Sequence, residues 1–386
     1  MVRLEIMQTV TPTESSKAES AGAPLAVEHR TSNFSPLQSA IGEPRPKRNQ
    51  SLDVLRCVAI LLVLGRHLDY YPLWSKIGWI GVDLFFVLSG FLVSGLLFHE
   101  FKEHGRINFR RFILRRGLKI WPAFYTYILI TAALVAFIQH YRAGAFPWRQ
   151  FITTSLFLRN YFPNDSRFFD HIWSLAVEEH FYLILPLVLF ILLVSRNHSK
   201  KLFATIPFIF IITSALCLVL RVFTQPLGAY YWTTHTRIDS LFAGVTVGYF
   251  YHFKRQWFQK MTGHYALGIA FVCCMPAALL EADSRSMQTI GLTFLYIGFS
   301  FLLAWSVVRT PKTRLGVWMG RAAAGVGFYS YSIYLWHRLI AFVLSARPSF
   351  AAFWTYIALA IGIGIVMSKL VEMPALRLRE KWKPTA

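Results

Sequence analysis

The chain has 386 residues, of which 55% are hydrophobic and only 15% are charged. Soluble globular domains carry about 25% charged residues, so this composition leaves too little polar surface for a water-soluble fold. All four cysteines lie in apolar runs, which excludes a disulfide-stapled or zinc-ribbon fold, and no metal site is predicted. The formal net charge of +21 is compatible with either nucleic-acid binding or the charge bias of a membrane protein.

The first fifty residues differ from the rest in composition. Residues 1–50 are rich in Ser, Pro, Ala and Thr, carry six Lys/Arg against five Glu, and have no hydrophobic period. Such a segment cannot bury enough apolar surface to fold, so we predict a disordered tail. It contains no basic start followed by a short apolar run, which argues against a cleavable signal peptide. The predicted membrane domain is 51–378, followed by a short C-terminal segment, 379–386.

Apolar segments then recur at a length that suits a bilayer, which needs about 20 residues per helix. Ten are found, at about 52–69, 77–98, 120–139, 172–194, 202–222, 236–253, 264–280, 288–308, 325–345 and 352–372. The stretch 151–158 is too short to span and is predicted to lie at the interface or to re-enter. The predicted fold class is therefore all-α, a polytopic integral membrane protein of about ten transmembrane helices.

The positive charges follow this topology. With the N-terminus inside, the predicted inner segments hold 27 Lys/Arg and the outer segments hold 7. This bias is the positive-inside pattern, and it predicts an even number of spans with both termini cytoplasmic. The basic charge is thus explained by topology, the lipid bilayer is the predicted partner, and nucleic acid is a poor second interpretation.

Ionisable residues inside the predicted spans indicate a functional cavity, because a charge in hydrocarbon is costly. They are Arg56, His67, Asp83, Glu178, Glu179, His180, Arg237, Asp239, His337 and Arg338. The alternating directions of the spans place the acids and imidazoles of five helices in one layer towards the outer face. Snorkelling side chains and single inter-helix hydrogen bonds explain one or two such residues, and transport is the stronger alternative to catalysis.

Arg56 and His67 share one face of the first predicted span. Their separation of eleven residues is about 16 Å of rise and about 20° past a whole number of turns. An arginine at the inner mouth can bind a phosphate, and a deep neutral histidine can act as a general base. In the alternative interpretation, Arg56 extends to the lipid headgroups and His67 only hydrogen-bonds to a neighbouring residue. For this pair taken alone, the structural and the functional interpretations are equally favoured.

Seven motifs in order resemble the acyltransferase-3 family of bacterial integral-membrane O-acyltransferases. They are SLDVLRCVAILLVLGRH with Arg56 and His67, GVDLFFVLSGFLVSG, RRFILRRGLKIWP, WSLAVEEHFYLILP, RIDSLFAGVTVG, YSYSIYLWH and VEMP, within residues 51–378. Two positions depart from the family pattern. Lys119 stands where the basic loop has a second arginine, and His180 stands where glutamine usually follows the paired glutamates. Lysine at position 119 keeps the positive charge but lacks the bidentate fork of arginine.

The resemblance implies a bacterial inner-membrane enzyme that passes an acyl group, most often acetyl, from cytoplasmic acyl-CoA to a hydroxyl at the outer face. The implied acceptor is a cell-surface carbohydrate or glycolipid. The residues expected to hold the coenzyme's phosphates are Arg56, Arg115, Arg116 and Lys119. His67 is the expected general base, although His67 or a nearby hydroxyl can instead carry the acyl group transiently.

Other acidic and imidazole residues are candidates for further roles in the site. Glu178 and Glu179 are adjacent and about 100° apart on their helix, so only one is expected to orient His67. Asp83 is either a second orienting carboxylate or a structural partner for Arg237, and His337 is expected to contact donor or acceptor. A secondary transporter or flippase, and less readily a receptor or scaffold, stay open as alternatives. The oligomeric state is left open.

Overall fold

The computed structural model describes residues 49–68, 70–141, 145–162, 168–194, 200–224, 231–309, 313–344 and 349–381. That part of the chain is helical and contains no β-strand, as the predicted all-α class requires. The α-helices are α1 Gln50–Arg66, α2 Pro72–Ile77, α3 Ile80–His104, α4 Phe109–Tyr141, α5 Trp148–Ser155, α6 Ile172–Val194, α7 Ile206–Phe223, α8 Thr234–Phe253, α9 Arg255–Lys260, α10 Tyr265–Leu279, α11 Leu292–Val307, α12 Arg314–Phe328, α13 Ser330–Leu344, α14 Phe350–Met367 and α15 Met373–Lys381.

Three shorter helical turns complete the described part. A 3₁₀ turn at Lys200–Thr205 precedes α7, and π turns at Met287–Gly291 and Ser368–Glu372 precede α11 and α15. The predicted tail 1–50 lies outside the described residues except for Asn49 and Gln50. Asn49 caps α1 through its side chain, so the first helix begins two residues before the predicted span. At the other end α15 extends to Lys381, and 382–386 lie outside the described residues.

Each of the ten predicted segments corresponds to a helix of the structure. Six helices in the described part are long and apolar enough to cross a membrane. They are Ile80–His104, Phe109–His140, Ile172–Leu193, Phe203–Phe223, Met287–Val307 and Phe350–Lys381. Of the other four, α1, α10 and α13 have 17, 15 and 15 residues, and α8 contains Arg237 and Asp239. The chain is thus a multi-pass membrane protein, and the count of about ten spans stays a prediction.

Helix α3 lies at the centre and packs most extensively against α8. Gly90 and Gly244 allow this close approach, because a Cβ on Gly90 would lie 2.0 Å from the carbonyl oxygen of Leu241. A Cβ on Gly244 would lie 2.1 Å from that of Val87. Small residues at helix contacts are the usual means of close packing in membranes. Helix α1 packs against α3 and α12, and α13 packs against α14.

Candidate active site

A cavity of about 570 Å³ lies between α1, α3, α4, α6, α13 and α15. We call it the large cavity. Its lining on α3 runs from Val82 to His104, a helix rise of about 33 Å. Phe85 contacts the ring of Tyr334 at one end, with 6.2 Å between ring centroids, and α4 begins beside the other end, five residues after His104. The cavity therefore connects two distant parts of the helix bundle.

Basic side chains line the large cavity. All four residues predicted to hold phosphates are among them, and we call these the basic cluster: Arg56, Arg115, Arg116 and Lys119. Arg111 and Arg379 also line the cavity, and sequence reasoning missed both as site residues. The six basic side chains outnumber the four glutamates that line the same space. This local excess of positive charge favours an anionic ligand.

Two arginines of the basic cluster have defined orientations. Arg56 pairs with Asp53 one turn earlier on α1, with 2.6 Å between Nη1 and Oδ1. The guanidinium of Arg116 lies over the ring of Tyr182, 5.5 Å from its centroid, and 5.9 Å from that of Phe112. An ion pair on one residue and aromatic contacts on the other restrict both side chains before any ligand binds.

Glu178 and Glu179 have different partners, as their positions on α6 require. The hydroxyl of Tyr182 donates to Oε2 of Glu178 at 2.6 Å. The indole N–H of Trp121 donates to Oε2 of Glu179 at 3.3 Å, and Glu179 also lines a second cavity of about 280 Å³ between α4, α5 and α6. No hydrogen bond joins either glutamate to His67 in the described part of the chain. Their predicted role in orienting that histidine stays a prediction.

Two hydroxyls close the large cavity at the Tyr334 end. Ser174 Oγ and Tyr334 Oη lie 2.6 Å apart, and Tyr334 also donates to the backbone carbonyl of His171 at 2.8 Å. Both side chains line the cavity and are otherwise buried. The ring of Tyr334 contacts the imidazoles of His171 and His337, each with 5.5 Å between centroids. This hydroxyl pair therefore links the lining of the cavity to a group of histidines.

We call that group the histidine cluster: His67, His171 and His337. The ring centroids of His67 and His337 are 4.8 Å apart, and those of His337 and His171 are 5.1 Å apart. His337 and His171 are buried, whereas His67 is partly exposed. His67 follows α1, His171 precedes α6 and His337 lies within α13, so the fold joins three distant segments. His171 was missed in the sequence, where its signal was its place two residues before the WSLAVEEHFYLILP motif.

A charged network extends from the cluster. A guanidinium N–H of Arg338 lies 3.0 Å from Nδ1 of His67, and the other terminal nitrogen donates to Asp170 at 3.2 Å. Arg159 donates to the second oxygen of Asp170, also at 3.2 Å. Burial raises the pKa of the Asp170 carboxyl, while Arg338 and Arg159 act in the opposite direction. Arg338, like His171, was not predicted as a site residue.

Asp83 lies in a different group of residues. Its Oδ1 accepts from Arg237 at 2.7 Å, and both side chains are buried. The Arg237 guanidinium lies over the ring of Tyr231, 4.6 Å from its centroid. Asp83 lines neither cavity. These contacts favour the structural interpretation of Asp83, as the partner of Arg237, over its predicted catalytic role.

Comparison with known proteins identifies relatives of similar sequence. The chain is 27% identical over 306 residues to a peptidoglycan O-acetyltransferase of Listeria monocytogenes, covering 74% of this chain and 48% of that protein. It is 28% identical over 307 residues to a putative peptidoglycan O-acetyltransferase of Bacillus subtilis, covering 74% and 47%. It is 27% identical over 314 residues to a putative O-acetyltransferase of Staphylococcus aureus, covering 76% and 51%.

The chain spans about half the length of the curated relatives it matches. No solved structure matches it. The model of the acyltransferase-3 family, described as an acyltransferase domain, matches residues 49–371. That match covers most of the chain and contains the basic cluster and the histidine cluster. The resemblance seen in the motifs is thereby confirmed, and the chain belongs to the acyltransferase-3 family.

Proposed function

We propose that this chain is a membrane O-acyltransferase that moves an acetyl group from acetyl-coenzyme A to a hydroxyl of a peptidoglycan-type carbohydrate. The observation that carries the proposal is the large cavity. It is lined by the basic cluster and, at the Tyr334 end, by two hydroxyls that contact the histidine cluster. A volume of about 570 Å³ lies within the range of about 300–1,000 Å³ that is usual for ligand sites.

The basic cluster suits the phosphates of the donor. Arginine forms charge-assisted, bidentate hydrogen bonds to phosphate, and these are stronger than bonds between neutral groups. The apolar lining of α3, which includes Val82 and Phe85, suits the less polar arm that carries the thioester. Arg56 and His67 are separated by about 16 Å of helix rise, a reach comparable to an extended pantetheine arm, so we expect a donor held at Arg56 to extend its thioester towards the histidine cluster.

The histidine cluster suits the chemistry of acyl transfer. A carbohydrate hydroxyl is a poor nucleophile at neutral pH, and a positioned base raises its reactivity by accepting its proton. The cluster contacts Tyr334, which lines the large cavity together with Ser174. A transient acyl-enzyme on one of these hydroxyls or on His67 is the alternative to direct attack. Mass spectrometry of the protein after incubation with labelled donor alone distinguishes the two routes.

The acceptor class is inferred from the names of the Listeria and Bacillus relatives. The positive-inside bias supports an orientation in the bacterial inner membrane with the basic cluster on the cytoplasmic side and the histidine cluster towards the outer side. Thiol labelling of Arg110→Cys and Arg149→Cys, both at exposed positions, tests this orientation. We expect an impermeant reagent on intact cells to label position 149 only. Labelling of both positions from the same side would contradict the orientation.

The central experiment uses the purified full-length chain in lipid vesicles with radiolabelled acetyl-CoA and lysozyme-solubilised peptidoglycan fragments. We expect base-labile, ester-linked acetate on the fragments. Arg116→Ala should reduce it, whereas Arg314→Ala, at an exposed position on α12 that lines neither cavity, should not. Label that crosses the membrane without forming an ester would contradict acyl transfer and support the transporter alternative.

A further inference from the structure

The hydrogen bond between Arg338 and His67 determines where His67 carries its proton. Arginine has only donors, and it stays protonated in proteins. The nitrogen of His67 that faces it, Nδ1 at 3.0 Å, must therefore be the acceptor. An imidazole whose Nδ1 accepts is neutral and bears its hydrogen on Nε2. In this arrangement the Nδ1 lone pair is occupied, and Nε2–H is a hydrogen-bond donor.

His337 has the opposite tautomer. Its Nδ1 is hydrogen-bonded to the backbone carbonyl of Tyr334, and a carbonyl can only accept. Nδ1 therefore bears the hydrogen, and Nε2 of the neutral ring has a lone pair. This Nε2 is buried and has no hydrogen-bond partner within the described residues. A buried acceptor in that condition is costly, which makes it a candidate for a functional group.

His171 is the other imidazole with an available lone pair. Its Nε2 donates to the carbonyl of Leu335 at 3.1 Å, which leaves Nδ1 as the acceptor, and Nδ1 has no partner in the described part of the chain. His171, however, contacts His337 rather than His67. His337 lies directly against His67, the partly exposed member of the cluster. A group that hydrogen-bonds to His67 is therefore next to His337.

We propose that His337, and not His67, is the base that accepts the proton of the acceptor hydroxyl, and that His67 acts as a hydrogen-bond donor held in its tautomer by Arg338. This inference rests on the proposed acyltransferase function and assigns roles within that site. It changes the role of His67 expected from the sequence. Arg338 is a positioning residue, anchored through Asp170, and acts only through His67.

The step is balanced without a further reactant. The hydroxyl transfers its proton to Nε2 of His337 as its oxygen bonds to the carbonyl carbon of the thioester. The carbonyl oxygen gains the negative charge and accepts a hydrogen bond from Nε2–H of His67. When the carbon–sulfur bond breaks, the leaving thiolate takes the proton from His337. The products are the ester and the free thiol, and both histidines return to their starting forms.

The charged groups that face the cluster fit a donor role for His67. Among the described residues, the side-chain hydrogen bond of His67 is made to Arg338, and Arg66, His171 and His337 also act on its imidazole. Asp170 bonds to Arg338 and Arg159 rather than to an imidazole. A base that becomes an imidazolium is usually stabilised by a carboxylate on its other nitrogen. At Nδ1 of His67 the structure has a cation instead.

Two substitutions of His67 test its role, because each amide imitates one ring nitrogen. Glutamine in His67→Gln places an N–H near the position of Nε2, whereas asparagine in His67→Asn reaches only the position of Nδ1. If His67 is a donor, His67→Gln should retain at least about a tenth of the wild-type rate and His67→Asn should lose about 10²–10³-fold. Equal loss in both variants, as expected for a base, would overturn the assignment.

The matched test at His337 uses His337→Asn, which keeps an N–H for the Tyr334 carbonyl but has no basic nitrogen. We expect a loss of about 10²–10⁴-fold in transfer, with binding of acetyl-CoA and elution as a single species preserved. In the His67→Gln variant the acidic limb of the kcat/KM profile against pH should persist, because it belongs to His337. An unchanged rate in His337→Asn would remove His337 from the mechanism.

The tautomers can be measured without any assay of activity. Protein labelled with ¹⁵N-histidine, with His67 and His337 assigned by comparison with their variants, should show His67 neutral and protonated at Nε2 and His337 protonated at Nδ1. In Arg338→Met, His67 should no longer be restricted to the Nε2-protonated tautomer, whereas the tautomer of His337 should stay unchanged. His67 protonated at Nδ1 in the wild type would overturn the inference even if transfer occurs. Absence of ester from the wild type would instead overturn the proposed function, and the base assignment with it.

Discussion

Two groups of buried polar residues lie in this helix bundle, and they differ in how their charges are satisfied. Between α3, α7 and α8, Asp83 pairs with Arg237, and Asp239 accepts two hydrogen bonds from Arg221 at 2.7 and 2.8 Å. The histidine cluster has no such pairing of opposite charges. Its imidazoles bond to carbonyls or to a guanidinium and leave two ring nitrogens without partners among the described residues.

This difference indicates which group is structural and which is functional. A buried ion pair fixes the positions of both side chains, and removal of one partner destabilises the fold. Such pairs are therefore suited to holding helices together. Ring nitrogens without a hydrogen-bond partner can accept and transfer protons, which the paired residues cannot do without breaking their bonds. We therefore expect substitutions in the ion-pair region to change stability, and substitutions in the histidine cluster to change turnover.

The largest expected effect is on stability, at Asp83. Asp83→Asn leaves the buried Arg237 without a carboxylate, which should destabilise the fold by about 3–5 kcal/mol. The double variant Asp83→Leu/Arg237→Met removes both charges and should recover most of that loss. Thermal unfolding in detergent measures both variants. If Asp83→Asn abolishes transfer while unfolding at the wild-type temperature, Asp83 belongs to the active site and the comparison above is wrong.

The second prediction concerns His67, where we expect turnover to change and stability to stay the same. His67→Ala should reduce ester formation by about 10²–10³-fold, because a positioned hydrogen-bond donor is lost. Its unfolding temperature should stay close to that of the wild type, since His67 is partly exposed and follows the end of α1. The two measurements are made on the same preparation. Near-normal transfer by a well-folded His67→Ala would remove this residue from catalysis.

Sequence reasoning identified the parts of this molecule that depend on local pattern. The ten apolar segments correspond to helices because a long, mostly apolar segment in lipid must satisfy its own backbone hydrogen bonds. The basic cluster was predicted from the resemblance to the family together with two local patterns: Arg115, Arg116 and Lys119 are close together in the chain, and Arg56 shares a helix face with His67. Both patterns need only spacing along the chain.

The contacts that join distant segments could not be predicted from local spacing. Arg338 was noted as a charge within a span, but its bond to His67 crosses 271 residues. His171 lies outside the predicted spans, and Asp83 faces Arg237 rather than the histidines. Helical periodicity states which residues share a face, but not which helix that face meets. The pairing of α13 with the end of α1 is a property of the folded bundle.

The third prediction concerns the basic cluster and is smaller. Arg56→Lys keeps the charge but loses the planar fork, so the affinity for acetyl-CoA should fall by about tenfold. Arg116→Ala should weaken binding in the same direction, while Arg314→Ala serves as the control for net charge. Equilibrium binding of labelled acetyl-CoA to the purified chain gives the comparison. Equal affinity in all variants would assign these arginines to topology alone.

The smallest effects are expected when the hydrogen bonds to Glu178 and Glu179 are removed. Comparison of the two variants tests which glutamate contributes to donor binding. Tyr182→Phe removes the 2.6 Å bond to Glu178 and a 2.8 Å bond to Ser89, beneath the Arg116 guanidinium on the wall of the large cavity. A lost hydrogen bond of this kind costs about 0.5–1.5 kcal/mol, so donor affinity should fall by up to about tenfold.

Trp121→Phe is the matched control, because it removes the longer 3.3 Å bond to Glu179, and Trp121 is itself 38% exposed. Donor affinity should change by less than about twofold, since a hydrogen bond of this length contributes little. Binding of acetyl-CoA and turnover are measured for both variants at equal protein concentration. A larger loss of donor affinity in Trp121→Phe than in Tyr182→Phe would contradict this order. The carboxylate that matters for donor binding would then be Glu179, which also lines the smaller cavity between α4, α5 and α6.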